Sequence, residues 1–121
     1  MFEAVRLEET GGTFKYIQIT VTDAESQEEV ILVRGWRSCQ YHQDILSLFR
    51  RNEVNNHPKK GNRRLKTSSP GGGRIEYDIE SKKITCFGYS NSFGQADHEM
   101  STEIIKKSFP DFTVEWNNDG Y

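Results

Sequence analysis

Phe14-Lys15-Tyr16-Ile17-Gln18-Ile19-Thr20-Val21 carries apolar side chains in both registers of an extended chain. Ile17, Ile19 and Val21 fall on one face, Phe14 and Tyr16 with Gln18 on the other. A strand with one face in water would keep that face polar, so the pattern predicts a central strand with layers above and below it. Further strands follow outward from it. Val30-Ile31-Leu32-Val33 is a short continuous apolar run that stops at Arg34-Gly35, as a buried strand does. Ile75, Tyr77 and Ile79 alternate with Glu76 and Asp78; Glu80-Ser81-Lys82 makes a turn, and 83–89 returns as the antiparallel partner. Phe112, Val114 and Trp116, alternating with Thr113 and Glu115, give a last strand beyond Pro110.

Two helical segments fill the gaps. Ser38 can cap a helix whose apolar stripe is Tyr41, Ile45, Leu48 and Phe49, spaced i, i+4, i+7, i+8. The second spans about 95–108, with Met100, Ile104 and Ile105 inward. Lys106 and Lys107 in its last turn complement the helix dipole, and Pro110 closes it off. Helices set between strand pairs predict an α/β sandwich, a mixed sheet with helices packed against it.

At 121 residues the chain is too short for two cores that each offset their own chain entropy, so a single domain over 1–121 is expected. Only 34% of the residues are hydrophobic, which demands a compact core and polar loops. A formal net charge of −2 argues against bulk attraction to nucleic acid or to an anionic membrane. No apolar run is long enough to span a bilayer, and the N-terminus lacks a basic-then-apolar leader. The expectation is therefore a cytoplasmic monomer with no membrane and no nucleic-acid partner, whose two cysteines, Cys39 and Cys86, are reduced thiols. Between 54 and 70 the periodicity dissolves into a basic surface loop containing Lys59, Lys60, Arg63, Arg64 and Lys66, followed by Thr67-Ser68-Ser69-Pro70. A charge run of this kind is ordinarily a solvated loop.

Three histidines are candidate catalysts. His57, beside Pro58, reads as an exposed loop residue. His42 stands in the first turns of the first helix, where unpaired backbone N–H groups and the positive end of the dipole attract anions. The same potential lowers an imidazole pKa and keeps the ring neutral, able to take a proton near neutrality. A surface histidine in a cap region is the plainer alternative. His98 opens the second helix after Gly88-Tyr89-Ser90-Asn91-Ser92-Phe93-Gly94, and a bond to a nearby carbonyl would account for it. Lys15 shares the face of Ile17 and Ile19; it is an edge lysine reaching solvent or, beside an anion site, a compact point charge for phosphate. Ser90-Asn91-Ser92 lies where a strand ends before a helix, a bend whose successive N–H groups can form an anion nest. Gly71-Gly72-Gly73-Arg74 lacks the Lys-Ser/Thr ending of a nucleotide-binding loop and reads as a flexible turn that starts a hairpin.

Phe14-Lys15-Tyr16, Tyr41-His42, Gly71-Gly72-Gly73-Arg74-Ile75, Gly88-Tyr89-Ser90, His98 and Ser101-Thr102-Glu103 occur in one order and run on to Asn118-Asp119-Gly120-Tyr121. That ordered set resembles the protein histidine phosphatase family, also called the janus family, over nearly the whole chain. The resemblance implies a mixed β-sheet of about six strands with one helix packed on each face, and a weak extra strand near 63–67. It implies metal-independent, cofactor-free hydrolysis of the N–P bond of phosphohistidine, with phosphohistidine-containing proteins as partners; phospholysine stays open as a second substrate. Residue by residue, it implies His42 as the general base, Lys15 as a substrate-binding cation, and Ser90, Asn91 and Ser92 as a main-chain phosphate-binding segment. Arg74 would lie near the site, for phosphate contact or structural pairing, and His98 would support it. Relatives commonly carry less polar residues where Asn91 and Ser92 stand. Both water attack and a phospho-His42 intermediate fit the pattern.

Other chemistries fit less well. A zinc site drawn from Cys39, His42, Cys86 and His98 matches no standard spacing, and Cys86 falls inside a strand, so no metal is expected. Neither cysteine precedes a run of backbone amides ending in arginine, as a cysteine phosphatase requires. The alternative function is a catalytically weak phospho-ligand binding module of the same fold, and after it an interaction protein using the basic residues of 59–66.

Overall fold

A computed structural model describes residues 2–55 and 65–120. The central strand is β2 (Gly12–Asp23), in which Tyr16, Ile17 and Ile19 are fully buried, so both faces are covered as the double register requires. β1 (Val5–Leu7) pairs in parallel with β3 (Glu29–Gly35), and β3 is antiparallel to β2. On the other side of β2 lie β4 (Leu65–Asp78) and β5 (Lys83–Phe87), both antiparallel, and then β6 (Thr113–Trp116), parallel to β5. The result is one mixed six-stranded sheet of order β1-β3-β2-β4-β5-β6.

One helix covers each face. α1 (His42–Phe49) packs Ile45, Leu46 and Phe49 onto Ile17, Ile19, Val21 and Leu32. α2 (His98–Ser108) brings Ile105 onto the opposite face, against Phe14, Tyr16, Ile75 and Ile84. Full burial of a large aliphatic side chain contributes about 1.5–3 kcal/mol, so these two layers supply much of what holds the helices down. Among the described residues no helix is long and apolar enough to cross a membrane.

Both helices differ in detail from the sequence expectation. Cys39 N–H bonds to Trp36 O, which folds Ser38 into a turn; the helix starts only after Tyr41, whose N–H is taken by Asp44 Oδ2 at 2.9 Å. The buried stripe of α1 is His42, Ile45, Leu46 and Phe49, while Tyr41 is exposed. α2 begins at His98, capped by Asp97, whose side chain accepts from Met100 N–H at 3.1 Å. Its inward positions are His98, Ser101, Thr102 and Ile105, and Met100 points outward. Ile105 is buried and Ile104 packs against the same core, as expected, so only Met100 is misplaced; over the first turns the buried face is polar, which an apolar count does not see.

Gly71, Gly72 and Gly73 also depart from expectation. They lie in the interior of β4, paired with Gln18, Ile17 and Tyr16, and form no turn. The strand expected near 63–67 is the start of this same 14-residue strand, so Leu65–Pro70 belongs to the sheet and not to the loop. Pro70 is accommodated at a register shift: between the pairs Gln18–Gly71 and Thr20–Ser68, β4 has one residue more than β2. A bulge is where a sheet tolerates a residue without an N–H. His57, Lys59, Lys60, Arg63 and Arg64 lie outside the described residues.

α1 runs on into a π-helical turn, Arg50–Val54, that carries Glu53 back to β3. There Arg34, fully buried, meets the Glu53 carboxylate through Nε and Nη2, both at 2.9 Å, and stacks over the Phe49 ring at 5.3 Å. Removing one partner of such a pair strands the other charge in low dielectric. Glu53→Ala should therefore lower unfolding free energy by about 3–5 kcal/mol in urea titration. A loss below about 1 kcal/mol would mean that water reaches Arg34 and that the pair does not pin the turn.

Candidate active site

The site is built around the glycines of β4. Successive residues of a strand face opposite sides of the sheet, and Gly72 and Gly73 face the two helices in turn. A β-carbon on Gly72 would lie 2.9 Å from His42 Cδ2 and 2.7 Å from Tyr16 O. One on Gly73 would lie 2.6 Å from His98 Cε1 and collide with Phe87 O. Only bare backbone lets both imidazoles settle onto β4, one on each face.

His42 is buried at the start of α1, and its Nε2 lies 2.9 Å from Gly73 O. A carbonyl oxygen can only accept, so Nε2 holds the proton of the neutral ring and Nδ1 is the basic nitrogen. Burial pushes the His42 pKa below its ordinary value, and the positive charges of Lys15 and Arg74 push it further down against the opposing bond to Gly73. At neutral pH the ring is a base.

His98 is held by a polar chain on the far face. Its Nε2 donates to Gly88 O at 2.8 Å, so Nδ1 accepts, and the Tyr16 hydroxyl lies 2.6 Å from it. Tyr16 Oη is also 2.9 Å from Ser101 Oγ. With the one Tyr16 proton committed to His98, the Ser101 hydroxyl supplies the proton in that contact. Gln18 Nε2 completes the chain, donating to Ser101 Oγ and to Asp97 O, each at 2.9 Å. Burial lowers the His98 pKa and raises that of Tyr16, so both stay neutral and the chain keeps one direction.

The chain ends on Gly88, which opens the segment 88–94. Ser90 N–H bonds to Gly94 O at 3.1 Å, Gly94 N–H to Ser90 O at 2.8 Å, and Phe93 N–H to Ser90 Oγ at 3.0 Å. Gly72 N–H reaches Gly94 O and Gly72 O accepts from Ala96 N–H, both at 3.0 Å, which ties the turn to the strand beneath His42. The N–H groups of Asn91 and Ser92 take no acceptor among the described residues. Of the three amides expected to form a nest, that of Ser90 is already committed.

Lys15, Tyr41, His42, Arg74, Asn91 and Ser92, with Gln40, line a cavity of about 380 Å³. Lys15 and Arg74 are cross-strand partners and so project from the same face. None of the seven lining residues is acidic. The cavity combines a neutral imidazole, two cations and two residues whose N–H groups have no acceptor among the described residues, an arrangement that can hold a phosphate-like anion beside a base. Ser90 is buried behind the turn, and His98 lies on the other side of β4. A roomier recess of about 620 Å³, around Phe2, Val21, Leu32 and Leu65, contains no histidine.

The cysteines are divided between the two faces. Cys39 packs with the α1 layer and Cys86 with the α2 layer, so Cys39, His42, Cys86 and His98 do not converge on one ion. Burial pushes the Cys86 thiol up to about 12 and raises that of Cys39 too, which leaves neither a thiolate near neutrality. The sequence reading omitted Tyr16, Gln18 and Ser101 from the site. Gln18 was the available signal, an amide next in register after Phe14 and Tyr16 on the same face of a central strand.

The sequence model of the Janus/Ocnus family (Ocnus) matches residues 1–113. The sex-regulated protein janus-A of Drosophila melanogaster is 39% identical over 110 residues, covering 91% of this chain and 76% of its own. The 14 kDa phosphohistidine phosphatases of Homo sapiens and Sus scrofa are 37% and 38% identical, each match covering 93% of this chain and 89% and 88% of theirs. With a match of that extent and relatives at that identity, the chain belongs to the Janus/Ocnus family.

Proposed function

We propose that this protein is a protein phosphohistidine phosphatase, hydrolysing the N–P bond with His42 as general base. The observation that carries this reading is the His42 ring, neutral and holding its proton on Nε2 toward Gly73 O, in a cavity lined by Lys15, Arg74, Asn91 and Ser92. The names of the human and pig relatives support it. The reading takes the chain as a single domain acting as a cytoplasmic monomer on phosphohistidine-containing proteins.

In the scheme, the phosphoryl oxygens rest on the amides of Asn91 and Ser92, on the first N–H groups of α1 and on Lys15 and Arg74. His42 Nδ1 takes a proton from water as its oxygen attacks phosphorus in line with the leaving nitrogen. The O–P bond forms, the P–N bond breaks, the leaving ring nitrogen takes a proton from solvent to depart as neutral imidazole, and His42 then releases to solvent the proton it took from water. Donors aimed at developing charge act only where that charge appears, and one contributes ~3 kcal/mol. The scheme asks nothing of a metal, because cations and amides already meet the charge of the transferring group.

His98 enters as a positioning residue. Through Gly88 it fixes the entrance of the 88–94 turn, and through that turn the direction of the two amides.

His42→Ala should reduce phosphate release from a phosphohistidine peptide by ~10²–10⁴-fold while leaving the circular dichroism spectrum unchanged. Turnover within about threefold of wild type would remove His42 from the role of base. Lost turnover with unimpaired binding in the wild type itself would instead favour a phospho-ligand module.

The pH profile carries a definite sign. The base acts when neutral, and its pKa in the free protein is depressed, so kcat/KM should be level through neutrality and fall on acidification only below pH ~6.5. An acidic limb centred above that value would contradict the desolvation that lowers this ring.

Lys15→Ala should raise KM more than it lowers kcat, because the ammonium attracts phosphoryl oxygens and transfers no proton. An unchanged KM with reduced kcat would move Lys15 from binding to transition-state stabilisation.

A further inference from the structure

The cavity at His42 does not end at Lys15 and Arg74. A second recess, about 320 Å³, shares Lys15, Gln40 and Arg74 with it and extends past them to Thr13, Trp36 and Arg37. Three of its lining residues are cationic and none is acidic. Among the described residues neither Lys15 nor Arg37 belongs to an ion pair. The Arg37 side chain runs along the start of β2, 3.8 Å from where a β-carbon on Gly12 would stand, and makes one long bond to Thr10 Oγ1 at 3.4 Å. The nearby carboxylate, Glu8, accepts from the Arg37 backbone N–H at 3.0 Å. Trp36, half-buried, gives the recess an aromatic wall beside the cations.

We infer that this recess is the specificity subsite for a residue flanking the phosphorylated one, and that it takes a carboxylate side chain. The inference rests on the phosphatase reading of the adjoining cavity. A protein substrate with its phosphoryl group at His42 must carry its chain out across the rim. An extended chain advances ~3.3–3.6 Å per residue, so a side chain one or two positions away reaches a recess that shares a wall with the first. A bound phosphoryl group offsets much of the charge of Lys15 and Arg74. Arg37 is the cation that belongs to the second recess alone, and so it is the residue that discriminates. Trp36 can cover the methylenes of an aspartate or glutamate while Arg37 meets the carboxylate. A lysine or arginine in the same place would face like charge, which adds rejection to preference.

The test compares phosphohistidine peptides that differ only in having Glu, Gln or Lys within two positions of the phosphorylated residue, on each side in turn. At low salt, kcat/KM should favour Glu over Gln by about three- to tenfold on one side and place Lys below Gln. The preference should shrink toward unity at high salt, as a rim charge does. In Arg37→Gln the Glu-to-Gln ratio should fall to about one, and in Arg37→Glu the order should invert to favour Lys. Equal kcat/KM for the three wild-type peptides, or a ratio unchanged in both variants, overturns the subsite. A small phosphoramidate with no flanking residue separates the two readings. If wild type hydrolyses neither it nor any peptide, the phosphatase reading fails. Calorimetric affinities for the same peptides bearing a hydrolysis-stable phosphonate then decide the subsite alone: Glu above Gln above Lys sustains it, and equal affinities overturn it.

Discussion

Three adjacent glycines in the interior of one strand let the starts of both helices close onto the same few ångströms of backbone. β-Carbons on Gly71, Gly72 and Gly73 would meet, respectively, Ala96 N, His42 Cδ2 and His98 Cε1 within 3 Å. Glycine in a strand costs roughly 0.5–1 kcal/mol relative to alanine. That cost is offset here by pairing with the buried centre of β2 and by the bonds of Gly72 to Gly94 and Ala96. β4 thus becomes a thin wall with one imidazole on each side. A single peptide group, Gly73 O, sets the tautomer of the proposed base.

The second dependence is the satisfaction of buried polar groups. Gln18, Ser101, Tyr16 and His98 are each at most 2% exposed, and an unpartnered polar group at that depth would cost about 1–3 kcal/mol. The chain from Gln18 to Gly88 gives each a partner and uses each proton once, so its direction is determined. It also explains why α2 turns His98 and Ser101 inward. On the α1 face the same logic holds Arg34 against Glu53. The two arrangements differ in consequence: one anchors the α1 extension to the sheet, the other anchors the turn that frames the cavity.

Much of the architecture was legible. The double register of β2, the hairpin of β4 and β5, and the strand after Pro110 all follow from period-two alternation, which burial on a sheet enforces locally. Helix existence was legible too, and so were the apolar positions Ile45, Leu48, Phe49, Ile104 and Ile105, but not the polar part of each buried face. His42, Ser101 and Thr102 occupy inward positions that a search for apolar residues assigns to the surface. The glycines were misread for a related reason. Locally they look like a turn, and only close approach from both sides reveals them as strand. Leu65–Pro70 lost its strand signal because a bulge and a proline interrupt the alternation there.

By itself the sequence determined the strand pattern, the presence of two helices, the family and the residue types available for anion chemistry. These are local properties, carried by side-chain period and by residues in a recognisable order. The tertiary structure alone decided which nitrogen of His42 is basic, which amides of the 88–94 turn are already bonded within it, and that His98 stands behind the wall and not in the cavity. Those outcomes depend on contacts between residues 31 apart, for His42 and Gly73, or 82 apart, for Tyr16 and His98. No periodicity along the chain encodes a hydrogen bond between a helix side chain and a distant strand; only the packing of helices against the sheet brings donor and acceptor together.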